Sequence, residues 1–402
     1  MLTVEEALGE ILSRVTVLES ESVDVGAALG RVLAEPVVSR REIPPWPNSS
    51  MDGYAIRAGD TLAGPARVRI AGRIAAGTLP SRPLEAGETF RIFTGAPLPD
   101  GADAVVPQED VEVDGDHVRV PGSVPEGAFV RSRGEDVRRG DHVLSPGQPL
   151  GPAEIGLLAT LGHSPVRIHR RPRVAILSTG NELADLGTEP GPGQIPNTNT
   201  YSLMAQANEA GAVPSNLGIA PDRLEAIEER LRWGREADVL ISSAGVSVGE
   251  LDLVREALTR SGAKLHLWLV SMRPGKPITF GSLGRQLVFG LPGNPVSAMV
   301  TFELFVRPAL LRMGGRTVVE RPRLRACARS PMANPGQRRG YLRVRLRRNG
   351  DGFEAELTGD QGSAILRSMT LADGLAVVPG DTTIPAGGMV DVILLRGLDL
   401  VG

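Results

Sequence analysis

Apolar residues open the chain at helical spacing: Val4, Ala7, Leu8, Ile11, Leu12 and Val15 share one face of a 3.6-residue period. Thr3, followed three positions later by Glu6, predicts a capping box that starts this helix. The pattern stops at Arg40-Arg41-Glu42-Ile43-Pro44-Pro45-Trp46-Pro47, where three prolines remove amide donors and fix φ. A domain crossing is expected there. From residue 51 to 143 the rhythm changes to short alternating runs (67–71, 90–93, 104–108 and 117–120) separated by Gly/Pro turns. That is the pattern of a small β-domain. Residues 149–162 turn helical again and are expected to pack beside the first helix. One domain is then built from two separated pieces, with the β-domain inserted between them.

Residues 171–313 show another rhythm. Buried-strand runs at 174–177, 213–219, 239–241, 265–270 and 286–289 are interleaved with helical patterns at 200–210, 222–233 and 252–259. Strands alternating with helices of this length predict a parallel sheet covered on both faces. Ligands of such sheets sit at the carboxyl ends of the strands. From about Arg321 the text is β-rich again: 341–346 alternates cleanly, and Asn349-Gly350-Asp351-Gly352 reads as a turn. The expected fold class is therefore multidomain α/β plus β. It has a central parallel α/β domain (171–315), an inserted small β-domain (44–143), a discontinuous helical and mixed domain (1–43 plus 144–170) and a C-terminal β-domain (316–402).

Composition narrows the function classes. The chain has 402 residues, 41% hydrophobic and 23% charged, which suits a globular protein of two to four domains. No run of about 18 apolar residues is present to span a membrane. The acidic N-terminus is not expected to be a signal peptide. A single cysteine, Cys327, excludes an intrachain disulfide and fits a cytoplasmic location. The net charge of −3 gives no whole-protein reason to expect nucleic acid or a membrane as partner. The arginines of 321–348 alternate with apolar residues and are read as the solvent face of an edge strand. The five histidines show no metal-ligand spacing.

Four loops of the α/β domain carry chemistry, each beside a predicted strand. Ser178-Thr179-Gly180-Asn181-Glu182 offers hydroxyls, a flexible glycine and a carboxylate. Ser242-Ser243-Ala244-Gly245-Val246-Ser247-Val248-Gly249-Glu250-Leu251-Asp252 offers glycines that let backbone amides approach an anion. Arg273-Pro274-Gly275-Lys276-Pro277 sets two cations on a stiff loop. Leu291-Pro292-Gly293-Asn294-Pro295 leads into an apolar helix, with Pro295 suited to its first turn. Amides and cations suit an oxyanion. Acids beside phosphates suit Mg²⁺, which typically uses one or two carboxylates plus phosphate oxygens. Each loop also has a structural reading: Asp222 as a helix N-cap, Glu182 as a first-turn carboxylate on a helix dipole, Arg273 and Lys276 as surface charge, and the proline turn as punctuation. In the β-domain, Asn48-Ser49-Ser50-Met51-Asp52-Gly53-Tyr54-Ala55 reads structurally as a turn in which Asp52 bonds its own backbone. Thr94-Gly95-Ala96-Pro97 reads as a strand end.

Taken in order, these motifs, with Arg133-Gly134-Glu135-Asp136, resemble the molybdopterin molybdenumtransferase family, which includes the E domain of gephyrin. The resemblance runs along essentially the whole chain. It implies a molybdopterin-binding-like α/β domain and an elongated homodimer. The implied substrates are adenylylated molybdopterin and molybdate. The implied reaction cleaves the phosphoanhydride, releases AMP and leaves molybdenum on the dithiolene, with Mg²⁺ as cofactor. Contact with other molybdenum cofactor biosynthesis proteins is also implied. Position by position, Asp52, Thr94, Glu182, Asp222 and Asp252 match residues the family needs for activity. Pro292 and Pro295 match its functional turn, beside Asn294, while Ser178, Thr179, Gly245 and Ser247 belong to its substrate loops. Arg273 and Lys276 occupy its cationic loop, where Arg273 departs from a frequent lysine and changes donor geometry. Asn181 and Asn197 stand where relatives often have aspartate, so neither is assigned as a metal ligand. Gln361-Gly362-Ser363 matches a family motif loosely.

The mechanism expected from this resemblance is electrostatic. Mg²⁺, Arg273, Lys276 and loop amides offset charge on phosphate and molybdate, and Asp252 or Glu182 positions the metal or an attacking water. A scaffold role of the gephyrin type is the alternative, against which the retained acids and cations speak. Adenylylation of molybdopterin, the preceding step, would need only the α/β domain.

Overall fold

The computed structural model describes residues 1–243, 253–350 and 352–397. The chain forms two compact units. One consists of Met1–Ala34, Pro146–Ile155 and Pro165–Gly402, the other of Glu35–Ser145 and Gly156–Ser164.

Helix α1 (Val4–Ser13) begins with the expected box. The Glu6 amide donates to Thr3 Oγ1 at 3.1 Å, and the Thr3 amide donates to Glu6 Oε2 at 2.8 Å. Two orphan donors of the first turn are thereby satisfied. Residues 149–162 were expected to cover α1. Instead its buried face, Val4, Ala7 and Ile11, joins the α/β core against Phe302, Phe305, Ala309 and Met313. The reason is area: the helix Pro152–Thr160 buries only Leu158 and offers no matching apolar stripe. Glu5 on α1 also pairs with Arg339.

The second unit is a sheet of β1 (Gly53–Ile56), β2 (Ala66–Ile74), β3 (Glu88–Ile92), β4 (Ala104–Pro107), β5 (Glu112–Asp114) and β6 (His117–Val120), in the order β4-β1-β3-β2-β6-β5. Apolar clusters cover both of its faces. Tyr54, Ile56, Val106 and Val118 lie in one, and Ala55, Phe90, Ile92 and Val105 in the other. A Cβ on Gly53 would run into the Val106 carbonyl, so the strand pairing itself requires this glycine of the Asp52-Gly53 motif.

In the first unit, the α/β domain runs β7 (Arg173–Thr179), α2 (Thr198–Glu209), β8 (Val213–Ala220), α3 (Leu224–Trp233), β9 (Val239–Ser243), α4 (Leu253–Arg260), β10 (Lys264–Leu269), β11 (Pro277–Leu283), β12 (Gln286–Leu291), α5 (Pro295–Thr301) and α6 (Arg307–Met313). A π-helical turn, Phe302–Val306, joins α5 to α6. The sheet order is β8-β7-β9-β12-β11-β10. The first four strands are parallel, and β11 runs antiparallel to both its neighbours. Strand β11 escapes the sequence pattern because it starts on Pro277, directly behind the cationic loop. Helices α1, α2, α5 and α6 pack on one face, α3 and α4 on the other. Each fully buried leucine or phenylalanine in these layers contributes roughly 1.5–3 kcal/mol. Helix α3 starts one residue later than its expected cap: Arg223, not Asp222, is the N-cap, and it makes no side-chain capping bond. Asp222 is held elsewhere, as described below.

The C-terminal strands β13 (Arg323–Ala328), β14 (Arg339–Asn349), β15 (Gly352–Leu357), β16 (Gly374–Val378) and β17 (Met389–Leu394) pair in the order β14-β15-β13-β17-β16 and close through β14–β16. Closure removes the free edges. The edge-strand reading of 321–348 is therefore corrected: β14 is paired on both sides. Leu342, Val344 and Leu346 fill the barrel, while Tyr341, on the opposite face, joins the α/β core. Arg343 lies on that same opposite face and is buried, 1% exposed. Cys327 is half-buried and free. Among the described residues, no helix is long and apolar enough to cross a membrane.

Ion pairs pin the domain's entry strand and its exit. The Arg170 guanidinium donates Nη1 and Nη2 to the Asp238 carboxylate at 2.6 and 2.7 Å, and the Arg173 amide donates to the same group at 2.7 Å. Glu303 on the π turn accepts from Arg321 at 2.8 Å and from Gln206 at 2.7 Å. Burial alone would raise the Asp238 carboxyl, but the Arg170 and Arg173 hydrogen bonds outweigh it and hold it below the usual aspartate range. A carboxyl lowered in the folded state stabilises the fold above its unfolded value, about 4, and that contribution is lost as pH falls through the folded value. Asp238→Asn is expected to be less stable than the parent at pH 7, with the gap closing below about pH 4. Denaturant titrations from pH 7 to pH 3 check this, and a gap independent of pH contradicts it.

Candidate functional site

Strands β7, β9 and β12 are parallel neighbours, so their following loops emerge at one edge of the sheet. The Asn199 side-chain amide donates to Ser243 Oγ at the end of β9 and to the Gly293 carbonyl after β12, both at 2.7 Å. This residue ties two candidate loops together. Its Oδ1, the Nδ2 of Asn197 and the Oγ of Ser242 are buried without a hydrogen-bond partner. Such groups cost free energy unless a bound polar group completes them. They line the same sheet edge.

The loop after β7 divides its labour. Ser178 is buried, and its hydroxyl is committed to Thr200 Oγ1 at 2.7 Å and Asn197 Oδ1 at 3.1 Å, which shapes the start of α2. Thr179 is buried too. Gly180 has φ +143°, and a Cβ there would meet the Glu182 carboxylate, which folds back over it. Glu182 is exposed, and its carboxylate takes no hydrogen bond or ion pair among the described residues. Asn181 and Asp222 bond reciprocally: the Asp222 amide donates to Asn181 Oδ1 at 3.2 Å, and the Asn181 amide donates to Asp222 Oδ2 at 3.3 Å. Asp222 is thereby placed against the loop that carries Glu182.

The cationic loop rests on α5. Gly275 has φ +100°, and a Cβ on it would stand 2.5 Å from Thr301 Oγ1. Arg273 and Lys276 are exposed, and neither has a carboxylate partner among the described residues. Asn294 caps α5 without a side-chain bond. It donates instead to Ser363 Oγ at 3.1 Å, while Val296 donates its amide to the Ser363 carbonyl at 3.1 Å. Pro292 and Pro295 flank this turn, with Pro295 opening the helix as expected. The loosely matched Gln361-Gly362-Ser363 stretch is therefore part of the constellation.

Arg343 supports that stretch from behind. Its guanidinium donates to Ser368 Oγ and to the Gly362 carbonyl, each at 3.0 Å, and its backbone amide donates to Gln361 Oε1 at 2.8 Å. Burial pulls this guanidinium down to about 10 against the attraction of Asp360, and the like charge of Arg273 adds to the fall. It stays protonated at neutral pH. Sequence reading passed over it as a surface arginine; its signal was its place one residue from buried Leu342 and Val344.

In the second unit, Asp52 does not close on its own backbone. Its Oδ1 accepts from the Thr94 amide at 2.8 Å and from the Thr94 hydroxyl at 2.7 Å. These two bonds lower its carboxyl, with a smaller contribution from the charge of Arg91. The pair forms because Asp52 precedes β1 and Thr94 follows β3, which are antiparallel neighbours in register at Gly53 and Ile92. Gly245, Ser247 and Asp252 lie outside the described residues. Among the described residues, no three acidic, histidine or cysteine side chains gather to hold a metal.

Comparison with known proteins extends over the whole chain. Residues 2–162 match the family described as MoeA N-terminal region (domain I and II), 175–312 a probable molybdopterin binding domain, and 325–395 the MoeA C-terminal region (domain IV). A Nostoc sp. protein named molybdopterin molybdenumtransferase is 38% identical over 94% of this chain and 89% of its own length. Molybdopterin molybdenumtransferase 1 of Mycobacterium tuberculosis is 35% identical over 98% and 99%. A crystal structure of the molybdopterin biosynthesis MoeA protein from Pyrococcus horikoshii superposes with a TM-score of 0.86 at 30% identity, covering 98% of this chain and all of that one. Sequence and architecture agree along nearly the full length, and the chain belongs to the molybdopterin molybdenumtransferase family.

Proposed function

We propose that this chain is the enzyme that inserts molybdenum from molybdate into adenylylated molybdopterin, with cleavage of the adenylate and release of AMP. The observation that carries this reading is the coupling of loops from two domains, beside two cations that have no carboxylate partner among the described residues. Asn199 fixes β9 to the 292–294 turn, Ser363 fixes that turn to the barrel, and Arg273 and Lys276 stand exposed on the loop beside α5. Exposed cations without carboxylate partners suit phosphate and molybdate oxyanions. The gephyrin-type scaffold reading is not favoured, since the relatives that span the chain carry the transferase name.

The residues fit Mg²⁺ shared with substrate phosphates. Glu182 is exposed and unpartnered, Asp222 is exposed beside it, and such an ion needs only one or two protein carboxylates. Glu182, with Asp252, would hold it. Bound there, it would supply positive charge to the phosphate oxygens. The chain's own contribution is orientation. Arg273 and Lys276 bind the oxyanions, Arg343 keeps the 361–363 stretch seated against Asn294, and buried Ser178 holds the β7 loop to α2. In the second unit, Thr94 holds Asp52 as a fixed negative charge. A homodimer, a cytoplasmic setting and contact with other proteins of cofactor biosynthesis belong to this proposal, on the strength of the family.

Incubating the protein with adenylylated molybdopterin, Mg²⁺ and molybdate, and following AMP and mature cofactor together, tests the reading. Absence of both products contradicts it. Arg273→Ala and Lys276→Ala are each expected to slow AMP release by about 10²–10³-fold, as loss of a preorganised charge donor typically does, without lowering the melting temperature. Rates within twofold of the parent would remove both residues from the site. Thr94→Val keeps the backbone donor and deletes the hydroxyl. Its Asp52 carboxyl is expected to titrate higher than in the parent, read by carbon NMR of the labelled side chain; an unchanged titration would show that the hydroxyl bond does not tune it.

A further inference from the structure

The β-sheet of the second unit balances its arginines with one exception. Across its strands Arg69 pairs with Glu88, Arg67 with Asp114, and Arg119 with Glu112. Arg73 and Arg91 are direct neighbours in the register of β2 and β3. Neither is in salt-bridge contact with a carboxylate among the described residues; the nearby Asp52 feels the charge of Arg91 without pairing with it. Like charges side by side on adjacent strands are destabilising, so this row differs from the paired arginines of the rest of the sheet.

Aromatic rings and neutral acceptors hold the two cations in place. The Arg73 guanidinium lies over the Phe93 ring, 4.4 Å from its centroid, and the Arg91 guanidinium lies 5.5 Å from the same centroid. Arg91 also stands 5.3 Å from the Tyr54 ring. It donates Nη1 to the Tyr54 hydroxyl at 2.9 Å and Nη2 to Gln108 Oε1 at 2.6 Å. These contacts orient the guanidinium without neutralising it, and they leave N–H donors unused. The row ends at Asp52 and Thr94, one and two positions beyond the paired residues Gly53 and Ile92.

We propose that Arg73 and Arg91, mounted on Phe93 and Tyr54, form a phosphate-binding subsite beside Asp52 and Thr94. Resting on the function proposed above, the group it takes is the phosphate of the adenylylated substrate. Two fixed guanidinium groups with free donors match the bidentate recognition of phosphate oxygens. The Phe93 ring keeps them stacked, and a bound dianion relieves their mutual repulsion.

The test uses the full chain and calorimetric binding of AMP, inorganic phosphate and adenosine to the parent, Arg73→Gln, Arg91→Gln and the salt-bridged control Arg67→Gln. Arg73→Gln alters an exposed side chain, so the fold is not at stake; thermal unfolding verifies each variant. The parent and Arg67→Gln are expected to bind AMP alike. Arg73→Gln and Arg91→Gln are each expected to bind it about 10-fold more weakly or worse, the usual cost of losing a charged hydrogen bond, while adenosine binding stays the same in all four. AMP and phosphate affected in parallel mean that phosphate alone is recognised; AMP alone affected means that the nucleotide is required. Equal AMP affinity in parent and variants, or no preference of the parent for AMP over adenosine, overturns the subsite. Turnover separates this from the wider reading. A parent that releases AMP, with variants matching it in KM, sinks the subsite alone. A parent that releases no AMP sinks the proposed function and leaves the binding comparison to decide the subsite.

Discussion

Two hydrogen bonds from one amide set the frame for everything at the sheet edge. By donating to Ser243 and to the Gly293 carbonyl, Asn199 fixes the exits of β9 and β12 relative to α2. The turn at Pro292 also meets Ser363, through which the barrel bonds to the start of α5. A parallel sheet delivers its loops to one edge by topology alone. Holding them at fixed separations takes side chains, and a buried amide with two good acceptors does so at little entropic cost.

The architecture was legible where periodicity is strong. The capped first helix, the alternating βα rhythm of 171–313 and the short strands of the inserted unit all follow from spacing and turn chemistry. What escaped the pattern did so for physical reasons. Strand β11 is hidden by Pro277 and Gly281, residues that normally punctuate loops. Arg343 was read as solvent-facing because alternation shows which residues share a face, not what covers that face. Asp222 sits where an N-cap belongs, yet a tertiary bond to Asn181 claims it. The loop motifs lie at strand ends of the α/β domain, while the hydrogen bonds by which Asn199 and Ser363 join those loops depend on tertiary placement that spacing does not encode.

Charge is distributed in two styles. Structural arginines are paired: Arg170 grips Asp238, and Arg321 grips Glu303. Among the described residues, Arg73, Arg91, Arg273 and Lys276 have no carboxylate in ion-pair contact, and rings, neutral acceptors or a glycine turn stand beside them instead. The Asp52–Thr94 pair follows the same logic with the opposite sign, since hydrogen-bond donors rather than a counter-ion keep the carboxylate charged.

Helix α1 packs against residues far along the chain. Its buried face rests on Phe302, Phe305 and Met313, and Glu5 reaches Arg339. During synthesis this segment emerges long before its partners exist, and an entire β-unit is threaded between them. Docking of α1 therefore closes one of the longest loops in the molecule, at a correspondingly high entropic cost. Without α1 in place, the apolar side chains it covers, Phe302, Phe305 and Met313, would be open to water and to other unfinished chains.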